Sequence, residues 1–158
     1  MALEVVFDNS NCIFVAGNFN FKILQNMITL LKSATIVDTS SPYHNQTKDI
    51  LIVNGKISEI ANNIHQEASY KTIKLDNLHV SCGWFDTSVS FGEPGYEERE
   101  TINNGLEVAS KSGFTAVAVN ANTNPVIDSK SDVEFLINKA TKSATNLFPI
   151  GALTKGSK

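Results

Sequence analysis

The chain has 158 residues, 42% hydrophobic and 18% charged, with a formal net charge of -3, which suits one globular domain with a sizeable core or two small pieces. Its lysines are scattered and form no basic stripe interleaved with aromatics, which excludes an evident nucleic-acid face. No apolar run approaches the roughly 20 residues of a membrane span.

Residues 1–26 carry Glu4 and Asp8 where a signal peptide would carry basic residues followed by an unbroken apolar stretch, so a cytoplasmic protein is expected. Val5-Val6-Phe7 and the segment from Cys12 to Val15 read as short strands around the turn-like Asp8-Asn9-Ser10-Asn11. A more regular pattern opens at Met27, so 1–26 is expected to be an extension or the product of an upstream start.

From there the pattern is β. Ile28 to Val37 is rich in β-branched residues and ends in the turn chemistry of Asp38 to Pro42. Between Asp49 and Ile60, Asn54-Gly55 separates two apolar runs and predicts a hairpin with a type I′ turn. Lys71 to Leu75 alternates as a further strand, and residues 27–78 together read as a small antiparallel β unit.

The character changes at Leu78. Leu78 to Asp86 reads as one mostly apolar strand of the kind buried in a parallel sheet. The acidic cluster Glu97 to Thr101 is expected to open a helix whose apolar side is Ile102, Leu106, Val108 and Ala109, ended by Ser112-Gly113. Phe114 to Val119 is a second strand, Ser131 begins a second helix reaching about Ser143, and Leu147 to Ala152 is a third strand. Strand, helix, strand, helix, strand implies right-handed βαβ crossovers and an α/β fold. A chain ending at Lys158, just after a third strand, is expected to be the beginning of a larger sheet.

Cys12 and Cys82 lack Cys-x-x-Cys spacing, and His44, His65 and His79 are not clustered, so neither set reads as a metal or redox site. Cys82 is expected to be small buried filler beside Trp84. Ser88 and Ser90 stand two apart near the end of a strand and point to one side, converging as a possible polar site.

The motifs Gly83-Trp-Phe-Asp86, Glu93-Pro-Gly95, Glu100-Thr101, Gly113-Phe-Thr-Ala116, Asn122-Thr-Asn-Pro125 and Pro149-Ile-Gly-Ala-Leu-Thr-Lys-Gly156 occur in order. Together they resemble the first third of dihydroorotases of the amidohydrolase superfamily, over roughly Met27 to Lys158. The resemblance implies a β-sandwich portion at 27–78 and, at 79–158, the first βα units of a (β/α)8 barrel, with the site at the C-terminal strand ends. It also implies hydrolysis or closure of a cyclic amide with one or two zinc ions. The family pattern Asp-x-His-x-His-x-Arg-Glu-Pro-Gly reads here as Asp86-Thr-Ser88-Val-Ser90-Phe-Gly92-Glu-Pro-Gly95.

Serine therefore stands at both metal positions, Ser88 and Ser90, and Gly92 stands where the resemblance places a substrate-binding arginine. Serine hydroxyls are poor zinc ligands beside imidazole, and glycine cannot replace a bidentate guanidinium. A degenerate site without catalytic residues or metal is expected in this stretch. Asn122 matches a substrate-contacting asparagine, although capping a turn beside Thr123 and Pro125 explains it equally well. Asp86 is expected to bond backbone at the strand end.

The resemblance thus implies a binding or scaffold subunit of pyrimidine biosynthesis, partnered by aspartate transcarbamoylase or by itself. The rivals are an active dihydroorotase using ligands beyond residue 158, and an unrelated small α/β binding module.

Overall fold

The computed structural model describes residues 28–157 and the backbone of Val5–Val6 and Ile13–Phe14. Strands β1 (Val5–Val6) and β2 (Ile13–Phe14) pair antiparallel. Cys12 and the remainder of the first 27 residues lie outside the described residues. The chain divides into two compact units between Cys82 and Gly83.

The first unit is built on β3 (Ile28–Val37), which pairs antiparallel with β4 (Thr47–Val53), itself paired antiparallel with β5 (Lys56–Ala61). Asn54 and Gly55 join β4 to β5 with φ of 53° and 81°, the left-handed pair that a type I′ turn requires. On the other side of β3 lie β6 (Lys71–Lys74) and β7 (His79–Ser81), both parallel to it. The sheet is therefore mixed, where sequence alternation alone predicted an antiparallel unit. Alternation reports which face a residue occupies and carries nothing about the direction of its neighbour. Leu31, Ile36, Ile50, Ile52, Leu78 and Val80 form this unit's core.

The apolar stretch from Leu78 to Asp86 is two strands. β7 completes the first sheet, and β8 (Trp84–Val89) begins the second. Between them Gly83 lies against Thr115, where a Cβ would stand 1.7 Å from the threonine Cγ2. Cys82 and Trp84 are both exposed, so Cys82 is not buried filler; its thiol bonds the Asp38 carboxylate.

The second unit is a parallel sheet in the order β10 (Asn146–Pro149), β9 (Phe114–Val119), β8. Helix α1 (Ile102–Lys111) begins after the acidic cluster, because Thr101 is its N-cap and accepts the Asn104 N–H at 3.3 Å. It buries Ile102 and Leu106 and leaves Val108 exposed, since Val108 falls off the i, i+4 stripe. Helix α2 (Lys130–Ala140) is opened by a capping box in which Ser129 and Asp132 satisfy each other's backbone N–H groups. The Ser129 hydroxyl bond holds the Asp132 carboxyl below its usual range. Ser129→Ala should therefore destabilise this unit by about 1 kcal/mol, read as a lower urea midpoint with unchanged slope. Ile102 and Leu106 from α1 and Leu136 from α2 pack with Val117, Val119 and Leu147 of the sheet as a second core. The other face presents Phe85 and Phe148, tilted against each other at 5.8 Å.

Candidate functional site

The C-terminal ends of β8, β9 and β10 are level. Val89 is in register with Val119, which is in register with Pro149. Side chains leaving these ends are gathered at one edge of the parallel sheet, the edge at which α/β folds place their chemistry.

From the β8 end come Asp86, Ser88 and Ser90, and from the β9 end Asn120 and Asn122. The Asn120 side-chain amide donates to Ser88 Oγ at 3.1 Å and to Ser90 Oγ at 3.3 Å. The Asn122 amide donates to Ser90 Oγ at 3.0 Å. The two serines do converge, and two asparagines meet them there. Asp86 turns back on its own strand end, accepting the Ser88 N–H at 3.0 Å, as a backbone-bonding aspartate should. The turn after Asn122 is held by Thr123, whose hydroxyl donates to the Pro125 carbonyl at 2.8 Å.

Asn120 is the member that sequence reasoning missed. Its signal was present: it stands two residues before Asn122 at the end of an apolar run, the same spacing that draws attention to Ser88 and Ser90.

This donor set does not fit a zinc ion. Neutral hydroxyls are weak zinc ligands, and both lone pairs of Ser90 Oγ are engaged by amide donors. Among the described residues no three His, Cys, Asp or Glu side chains gather.

Gly92 is buried, and the loop closes against it. Its carbonyl accepts the Tyr96 N–H at 2.8 Å, and a Cβ at this position would lie 1.9 Å from the Tyr96 carbonyl oxygen. The backbone therefore leaves no room for any side chain at the expected arginine position. Beside it Glu93 is buried, paired with Lys139 of α2 and accepting the Ile102 N–H at 3.0 Å, so it fastens the loop to the start of α1 and the end of α2. Glu97 accepts the Gly95 N–H at 2.9 Å, and that bond holds its carboxyl below the usual range.

Residues 79–158 match the family model described as dihydro-orotase-like. A dihydroorotase of Ruminiclostridium cellulolyticum is 42% identical over 133 residues, covering 84% of this chain and 31% of its own length. That of Pelotomaculum thermopropionicum is 38% identical over 132 residues, covering 84% and 30%. The chain thus spans about a third of the curated relatives it matches. Among solved structures, the L-hydantoinase (dihydropyrimidinase) of Arthrobacter aurescens superposes with a TM-score of 0.69 at 18% identity, over 82% of this chain and 28% of that one. This last likeness speaks for the fold alone, part of a TIM-type barrel. With the family model matched over half of its length, the chain belongs to the dihydroorotase-like family.

Proposed function

We propose that the chain is a dihydroorotase-like component of pyrimidine biosynthesis whose metal-dependent hydrolytic centre is degenerate, and that it acts in the cytoplasm as a binding or scaffold subunit. The observation that carries this reading is the Ser88–Ser90 pair, bonded by Asn120 and Asn122 where the family motif has its two metal histidines. The sealed Gly92 supports it, because the substrate arginine cannot be accommodated in this loop. Asn122 keeps one amide hydrogen and its carbonyl for a ligand, so binding of a dihydroorotate-like acid can outlast hydrolysis. The proposed partner is aspartate transcarbamoylase, as the family resemblance implies.

The test uses two measurements on the unmodified chain. The chain with zinc and dihydroorotate should yield no ring-opened product, and mixing with aspartate transcarbamoylase should give a larger species in sedimentation. Zinc-dependent product formation by the unmodified chain would overturn the degenerate reading. Self-association alone, with no heterocomplex, would overturn the proposed partner.

A further inference from the structure

We propose that Ser88, Ser90, Asn120 and Asn122 form a clasp that fastens the ends of β8 and β9 without an ion, with Asn120 as its positioning residue. The inference rests on the metal-free reading above and goes beyond it by assigning the vacated position a task. An amide nitrogen carries two hydrogens, and Asn120 spends both across the strand gap, one on Ser88 Oγ and one on Ser90 Oγ. Its backbone N–H donates to the Val89 carbonyl at 2.9 Å, so main chain and side chain hold the same neighbouring strand. Asn122 adds a bond to Ser90 from two residues further on. These partners are 30 to 32 residues apart in sequence, so the bonds close long loops rather than rigidify a local turn.

Two ligands on one strand end and a metal would tie this edge together by coordination. Here amide-to-hydroxyl bonds make the tie. Because both lone pairs of Ser90 Oγ are taken, a cation could bind that oxygen only by displacing one of its two amide donors.

Hydrogen exchange at the backbone amide of position 120, the group bonded to Val89, reads the clasp directly. In the full chain, Asn120→Ala should exchange about tenfold faster at that amide, with an unchanged far-ultraviolet spectrum. In a Ser88→Ala/Ser90→Ala background the same substitution should add nothing, because its partners are already gone. If Asn120→Ala does not fold, the serine double variant alone should show the same acceleration. Wild-type exchange in Asn120→Ala, or equal acceleration with and without the serines, would overturn the clasp. A wild-type chain loosened by EDTA would instead refute the metal-free reading on which it rests.

Discussion

Asp49→Ala should lower the stability of the first unit by about 3 kcal/mol, the scale of breaking a buried ion pair from one side. The Asp49 carboxylate is buried and receives the Lys32 ammonium, the Ser33 N–H at 2.9 Å and the Ile64 N–H at 2.9 Å. Lys32 also donates to Asn63 Oδ1 at 3.0 Å and to the Ile64 carbonyl at 3.2 Å, so all three ammonium hydrogens are used. The cluster holds Ser33 in a left-handed conformation, φ 55°, where β3 slips register between Leu31 and Ala34. Alanine leaves a half-buried cation and two backbone donors without their acceptor, a cost larger than the bonds' net contribution.

The same site has a pH signature. Burial pushes the Asp49 carboxyl up, but the bonds from Lys32, Ile64 and Ser33 outweigh it and hold it below its ordinary value of 3.8. A group depressed in the folded state stabilises fully above its unfolded pKa and loses that contribution as pH falls through its folded value. Asp49→Asn should therefore be less stable at neutral pH and should flatten the acid limb below about pH 4. Urea midpoints measured from pH 7 down to pH 3 check both.

Gly92→Ala should cost the second unit about 3 kcal/mol, at the upper end of overpacking penalties. The obstacle is a backbone oxygen, which cannot swing aside as a side-chain tip can. Tyr96 is further held by its N–H on the Gly92 carbonyl, by its carbonyl bond from Arg99 at 3.0 Å, and by the Arg99 guanidinium 4.4 Å over its ring. Gly92→Arg should be at least as destabilising and should not create affinity for a carboxylate. Gly151→Ala is the control. Its added Cβ meets nothing nearer than the Ile127 carbonyl at 3.9 Å, and its effect should stay within about 0.5 kcal/mol. Calorimetry on the three variants separates a steric seal from a general intolerance of lost glycine.

Several features of this architecture are legible in the sequence because they are local. β3 and β9 run over the residues that β-branched and apolar composition marks, Ile28 to Val37 and Phe114 to Val119. The hairpin at Asn54-Gly55 follows from the φ values those two residues tolerate. What periodicity misplaces is set by caps and distant partners. Glu97 to Glu100 look like a first helical turn, yet Thr101 supplies the capping oxygen and the helix starts after it. The break between β7 and β8 depends on β3 and β9, which claim the two halves of one apolar run. The substitutions Ser88, Ser90 and Gly92 are visible by resemblance to the family motif. The i, i+2 spacing of Asn120 and Asn122 marks the pair, but which serines Asn120 reaches, and that Tyr96 closes on Gly92, are set by strand register and loop path.

In the proposed reading it is the paired serines, Ser88 and Ser90, that keep the family's metal out. Zinc binding by equilibrium dialysis at micromolar free ion, comparing the wild-type chain with Ser88→His/Ser90→His, tests it most directly. The wild type should hold no stoichiometric zinc, and the double variant, whose imidazoles are good zinc ligands, should show a clear gain in affinity. Stoichiometric zinc on the wild-type chain, held tightly enough that EDTA must strip it, would show that the serines do not exclude the metal.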